Sequence, residues 1–380
     1  MKSILKITYL LLLPTTIACS SSDKDIAIDS APDIGSTPNT NYNINLIEDS
    51  FEGRDYVVIG SEGWNFMVAY SSILDNVSLS FEAINGALPI IMSDNEGSKY
   101  NIFGEAIDGP NSGKKLTPMI GIMGYWFSWA AFYPGLEIFN STLPLQNFGE
   151  SVSGTDTWLI PKDNVFVGAL RDAIPAIEDP EYHINKDDTP TAILPNISSL
   201  VVGIRYNGTS KLYPHNVLNW HEIINDKISD YYYSVIFCPL TGTATVWNRK
   251  INNTITTFGV SGLLYNNNVM PYDRESNSIW SQMLLKSVQG ELSGVDSENY
   301  FVLETNYETW IEISKDHQLM NTNTGYSRDY NRNPYGNYPS NSTINFPLNF
   351  IDTRLHPKER VLGVIVNGKA KAYRFSTFNE

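Results

Sequence analysis

The chain has two cysteines in 380 residues, Cys19 and Cys238. A scaffold of internal disulfides is excluded, and once Cys19 is committed elsewhere Cys238 is the single free thiol. Positive charge is also scarce. The 26 Lys and Arg face 41 Asp and Glu, a formal net charge of −15, and no basic stripe occurs. Nucleic-acid binding draws its affinity from neutralising phosphates, so nucleic acid is set aside as a partner. Long apolar runs are missing as well. The run from Ile7 to Pro14 is too short to cross a hydrocarbon layer of about 30 Å as a helix.

What is present begins at the N-terminus. Lys2 and Lys6 precede that apolar run, and Thr16-Ile17-Ala18-Cys19 follows it. Basic, then apolar, then small residues is the order of a secretory signal. A cysteine directly after Ile-Ala resembles the lipobox of bacterial lipoproteins. Residues 1–18 are therefore expected to be a signal peptide, with Cys19 acylated and the protein held to a membrane by that lipid. Ser20 to Tyr42 is rich in Ser, Asp, Asn, Pro and Thr without apolar periodicity, and residues 19–45 read as a disordered tether. The Ser-Ser-Ser-Asp run after Cys19 fits a lipid-anchored place in the cell envelope, at the outer membrane rather than the inner. Removing Lys2 and Lys6 leaves 24 basic against 41 acidic residues, an acidic body.

The body reads as α+β, strand-dominated and rich in β-hairpins, with a diverged partial duplication at the N-terminus. Tyr231 to Phe237 is a run of aromatic and β-branched residues, as in a buried strand. Thr243 to Asn248 and Thr254 to Phe258 flank a hairpin signal at Lys250-Ile251-Asn252-Asn253. One helix is marked: Pro214 opens it, and Val217, Trp220, His221 and Ile224 follow a helical stripe. Two stretches, Val202 to Tyr213 and Leu362 to Tyr373, share Gly, Asn-Gly, Lys and Tyr at a constant offset of 160, each predicting a hairpin with a type I′ turn. A weaker parallel joins Asp94, Ser98, Tyr100, Gly109, Gly113 and Trp129 to Asp273, Ser278, Trp280, Gly290, Gly294 and Trp310. Upstream, Tyr56 and Phe81 match Tyr233 and Phe258 at an offset of 177, where Ser61 stands in the place of Cys238. Residues 46–145 are read as a diverged copy of about 228–320, and residues 150–380 as the main domain.

Asn219-Trp220-His221-Glu222-Ile223, Cys238-Pro239-Leu240-Thr241-Gly242, Phe258-Gly259-Val260-Ser261-Gly262, Tyr272-Asp273-Arg274 and Ser278-x-Trp280-x-Gln282 together resemble the DUF3179 family of bacteria and archaea. Ile174-Pro175-Ala176 before them, and Gly325-Tyr326, Asp329-Tyr330, Asn333-Pro334-Tyr335 and Lys358-Glu359-Arg360-Val361 after them, extend the resemblance over about residues 158–375. It implies no established activity. Members usually read Cys-Pro-Leu-Cys-Gly, whereas Thr241 fills the second cysteine position here. A dithiol–disulfide cycle within the chain is thus unavailable.

Two site readings remain open. In the first, Cys238 at the end of an apolar strand meets His221 on the inward stripe of its helix, as a thiol site or as ligands of Cu or Zn. Glu222, His215 or Asp273 would complete such a metal site. Arg274 belongs to the same set of candidates, although Asp273-Arg274 reads more readily as an ion pair fixing a loop. In the second reading the protein is a non-enzymatic envelope or surface binding protein for a glycan or a protein partner, and Cys238 is a small buried hydrophobe. The loop bearing Tyr326, Asp329, Tyr330 and Tyr335 is then the candidate contact surface.

Overall fold

The computed structural model describes residues 42–145, 157–183, 193–194 and 196–379. The signal peptide, Cys19 and the tether as far as residue 41 lie outside the described residues. Strands dominate. The three α-helices among the described residues, α1 (Trp126–Phe132), α2 (His215–His221) and α3 (Tyr307–Ile313), have seven residues each and all start where a strand ends. No helix among these residues is long and apolar enough to cross a membrane.

Two stretches carry the same string of elements. The first runs through a meander of Asn45–Phe51, Arg54–Ser61 and Phe66–Ser71, a small hairpin (Ile73–Leu74 with Val77–Ser78), and a four-stranded sheet from Phe81–Ala83 to Ala106–Asp108. It ends in strand Ile120–Tyr125, α1 and strand Glu137–Ile138. The second begins with Ile223–Ile228, Tyr231–Cys238 and Thr243–Asn248, followed by the hairpin Lys250–Ile251 with Thr254–Ile255. It continues with a sheet from Phe258–Tyr265 to Lys286–Gln289, then Leu303–Asn306, α3 and Gln318–Met320.

Each string is completed by one of the two Asn-Gly hairpins. Leu200–Tyr206 and Thr209–Pro214 lie between Leu303–Asn306, antiparallel, and Gln318–Met320, parallel. Arg360–Val366 and Lys369–Arg374 lie between Ile120–Tyr125, antiparallel, and Glu137–Ile138, parallel. Both turns have the positive φ pair that type I′ requires, 47° and 81° at Asn207-Gly208 and 50° and 76° at Asn367-Gly368. Gly203 and Gly363 admit the helices above them: a Cβ at either would stand 2.2 Å from the ring of Trp310 or Trp129 respectively.

The helix expected to run from Pro214 past Ile224 is shorter. Glu222 stands at φ 57°, which ends α2 at His221, and Ile223–Ile228 is a strand paired with Tyr231–Cys238. The apolar spacing at Ile224 is real, but it comes from a β-strand with Ile223 and Ile224 both buried, so strand pairing overrides the helical reading.

Candidate functional site

Strand Tyr231–Cys238 is buried from Tyr233 onward, and Cys238 ends it 1 % exposed. The thiol donates to the Asn267 carbonyl (3.4 Å) and accepts from the Val269 N–H (3.3 Å), while the Gly242 N–H closes the turn on the Cys238 carbonyl (2.8 Å). Burial, and secondarily the Glu222 carboxylate, push the thiol up to about 11 against the hydrogen bonds from Thr241 and Val269. It is therefore protonated at neutral pH, and a thiol is a poor nucleophile and a poor metal ligand. Thr241 is tied into a polar network: its hydroxyl meets that of Thr243 (2.8 Å) and accepts from the Asn268 amide (2.9 Å). The Thr243 hydroxyl in turn reaches Gln282 Oε1 (2.7 Å).

His221 is fully engaged elsewhere. Nδ1 bonds the Pro175 carbonyl and Nε2 the Tyr330 hydroxyl, both at 2.8 Å, and burial lowers its pKa. The kink at Glu222 explains why. Ile223 pairs with Ile236 and the Glu222 carbonyl accepts from the Phe237 N–H (2.7 Å), so Glu222 comes alongside the end of the strand while His221 turns toward Pro175. Glu222 is 8 % exposed, accepts from the Tyr335 hydroxyl (3.0 Å), and is pushed up to about 7 by burial. Among the described residues no three His, Cys, Asp or Glu side chains converge on a point that could hold a metal ion, so His221, Cys238, Glu222, His215 and Asp273 do not form the ligand set expected for Cu or Zn.

The other candidates are structural in their contacts. Asp273 accepts from the Ser276 N–H (2.6 Å) and from Trp280 Nε1 (3.0 Å), fixing its own turn. Arg274 pairs with Asp172 (3.4 Å) and with Glu178 rather than with Asp273. In the tyrosine loop, Tyr330 and Tyr335 turn their hydroxyls inward onto His221 and Glu222, and Asp329 accepts from the Asn331 N–H (3.2 Å). Tyr326 remains 45 % exposed, its ring centred 5.5 Å from that of His221. Beside them Lys358 is buried against the Tyr338 ring (2.9 Å to its centre), donates to the Tyr338 carbonyl (3.1 Å), and is lowered by burial to about 7.

The turn after Cys238 has a second role. Phe237, Pro239 and Gly242 form one wall of a cleft of about 330 Å³. His215, Asn216 and Asn219 of α2, together with Glu304, Tyr125, Arg360, Tyr330, Asn331 and Asn333, complete its polar lining. Arg360 donates to Glu304 Oε1 (2.7 Å) and to Asn65 Oδ1 (3.1 Å). His215 Nε2 lies 3.7 Å from the same carboxylate oxygen, too far for a hydrogen bond. Burial, then the Arg360 charge, lower the imidazole to about 3, so it is neutral. Three buried polar atoms on these lining residues have no partner: His215 Nε2, Asn216 Oδ1 and Glu304 Oε2.

The family model described as "Protein of unknown function (DUF3179)" matches residues 38–136 and 171–380. The chain belongs to the DUF3179 family. The match takes in residues 38–136, which the sequence resemblance does not reach, and this first segment supplies Tyr125 to the cleft and, in Asn65, a hydrogen-bond acceptor to Arg360. Comparison with curated proteins and with solved structures finds no match. Within this DUF3179 chain the motifs Asn219–Ile223, Cys238–Gly242, Asn333–Tyr335 and Lys358–Val361 all reach the cleft or the packing directly behind it. Glu304 and Tyr125 were not singled out from the sequence. The available signal for Glu304 was a carboxylate directly following the apolar stretch Phe301-Val302-Leu303, which needs a partner or a function where the strand is buried. For Tyr125 no local signal exists.

Proposed function

We propose that the protein is a non-catalytic binding protein of the cell envelope, tethered by lipid on Cys19, whose ligand seats in the cleft over the Cys238–Gly242 turn. The observation that carries this is the set of partnerless atoms on the cleft lining, His215 Nε2, Asn216 Oδ1 and Glu304 Oε2. A buried polar atom without a partner costs about 1–3 kcal/mol, a cost the fold carries three times in the residues of this one wall, as functional sites commonly do. The thiol argues against the catalytic alternative, since it is protonated and buried, and the nearby Glu222 carboxylate pushes it further from ionising. The test uses the mature protein in detergent and thermal-shift measurement with envelope-derived small molecules. Binding is expected to survive Cys238→Ser and to be lost in Asn219→Trp, which fills the cleft. Loss with Cys238→Ser and survival in Asn219→Trp would reverse the assignment.

We also infer that the two strings of elements descend from one duplicated module, with the C-terminal hairpin completing the first copy. Matching clusters support this at the same offsets of 160 and 177. Lys211 pairs with Asp226 at 3.0 Å, the Tyr213 hydroxyl donates to that carboxylate at 2.6 Å, and the Tyr233 hydroxyl stands 2.6 Å from Tyr213. Lys371 pairs with Asp49 at 2.7 Å, the Tyr373 hydroxyl donates to it at 2.6 Å, and Tyr56 stands 2.6 Å from Tyr373. Likewise the Asn111 N–H donates to Ser98 Oγ and the Leu292 N–H to Ser278 Oγ, both at 3.0 Å. The cleft then falls where the copies meet, a common position for a ligand.

A further inference from the structure

We propose that the ligand of this cleft is an uncharged saccharide, held by paired hydrogen bonds rather than by charge. This rests on the reading of the cleft as the ligand seat. Three ionisable groups besides phenols line it, His215, Glu304 and Arg360. The guanidinium and the carboxylate cancel at 2.7 Å, and the imidazole is neutral. An anion approaching Arg360 therefore meets Glu304, and a cation approaching Glu304 meets Arg360, so neither is favoured.

The remaining polar groups are chiefly amides, Asn216, Asn219, Asn331 and Asn333. Asn219 and Asn331 offer a donor and an acceptor side by side, while Asn216 Nδ2 is spent on the Ile193 and Tyr330 carbonyls and Asn333 Oδ1 on the Tyr335 N–H. Neighbouring sugar hydroxyls, which both donate and accept, match such a mixed lining. The partnerless atoms narrow the ligand further. Glu304, 6 % exposed, has an Oε2 without a partner, Asn216 an Oδ1 and neutral His215 an Nε2, all shut off from solvent behind the cleft wall, so a ligand meets them as these side chains turn. The ligand must bring several uncharged donors into a small volume. An apolar ligand brings none. A peptide brings one N–H per residue, pointing to alternate sides about every 3.3 Å, whereas one sugar ring carries donors on adjacent carbons. A volume of about 330 Å³ is at the small end for ligand cavities, which suits a monosaccharide or the end of an oligosaccharide.

The experiment is calorimetric titration of the mature, detergent-solubilised protein. The probes are three neutral sugars (the N-acetylglucosamine dimer, cellobiose and maltose) and two charged ones, glucosamine and glucuronate. At least one neutral sugar is expected to bind about tenfold or more tighter than both charged ones, and to lose about tenfold in Asn216→Ala. Glu304→Gln, which leaves the Arg360 charge uncancelled, is expected to shift the preference toward glucuronate by a similar factor. The proposal is overturned if no neutral sugar binds at about 10 mM, or if a charged sugar binds the wild type equally well. A ligand of another class that binds the wild type but not Asn219→Trp would overturn the saccharide while leaving the cleft as the seat. Saccharide binding that is unchanged in Asn219→Trp would overturn the seat itself.

Discussion

Replacing Arg360 with alanine isolates the electrostatics of the cleft. Glu304 is 4 % exposed at its side chain and Arg360 22 %, so the substitution strands a buried carboxylate whose one strong partner is gone. Breaking such a pair costs about 3–5 kcal/mol when both partners are buried, and the partial exposure of Arg360 brings this toward about 3 kcal/mol. Roughly 1 kcal/mol of that belongs to the hydrogen bond with Asn65 and does not depend on pH. The rest does. Burial already holds the Glu304 carboxyl above its ordinary range, and the Arg360 charge and hydrogen bond are what hold it down, so its removal raises the carboxyl further. A carboxyl raised in the folded state leaves stability intact below its unfolded value near 4.5 and removes it as pH rises through the folded value. The Arg360 charge also helps to hold the His215 imidazole low, so Arg360→Ala raises it, which lessens the deficit at the lower pH and works in the same direction as Glu304. Urea unfolding at pH 5 and pH 8 should therefore give Arg360→Ala a deficit of about 1 kcal/mol at the lower pH and about 3 kcal/mol at the higher. The double variant with Glu304→Gln should recover most of the difference at pH 8. An equal deficit at both pH values, or no recovery in the double variant, would refute the reasoning.

Other consequences are as direct. With its thiol held near 11, Cys238 is about one part in a thousand thiolate at pH 8, so iodoacetamide should leave it unmodified in the folded protein and label it fully in urea, by mass spectrometry. Glu222, raised to about 7 by burial, costs the fold nothing below its unfolded value of 4.5 and about 3 kcal/mol once pH has passed 7. Glu222→Gln should therefore stabilise the protein at pH 8 and leave it unchanged at pH 4.5, and a uniform shift would contradict the assignment. Gly203→Ala and Gly363→Ala should each cost about 1–3 kcal/mol in thermal unfolding, because each Cβ would meet a tryptophan ring at 2.2 Å; a neutral result at either would break the parallel between the two hairpins and count against the proposed duplication.

Much of the fold was legible because its signals are local. The Asn207-Gly208 and Asn367-Gly368 turns specify their hairpins by dihedral preference alone, and Tyr231–Cys238 announces a buried strand by composition. The boundary of α2 was not legible. Its end depends on Glu222 taking a left-handed conformation, which the pairing of Ile223 with Ile236 imposes from outside the local sequence. The site divides the same way. Glu222, Tyr330 and Tyr335 lie in motifs that stand out in the sequence, and the structure brings them together around the Cys238 turn. The pairing of Cys238 with His221 rested on sequence proximity, and one kinked residue sent the imidazole to Pro175 and Tyr330 instead. The contact of Arg360 with Glu304 joins residues 56 apart on different sheets, and no spacing rule reaches that far.

The central claim is that the cleft beside the Cys238–Gly242 turn is where the protein holds its ligand. A crystal structure with the tightest-binding saccharide tests it most directly. The account predicts ligand hydroxyls within hydrogen-bond distance of Glu304 Oε2, Asn216 Oδ1 and His215 Nε2, the three side chains having turned out of the wall to meet them, with Arg360 still on Glu304 and the Cys238 thiol untouched. A ligand seated instead on the exposed Tyr326 face, or bonded to the Cys238 sulfur, with those three atoms still unpaired, would contradict it.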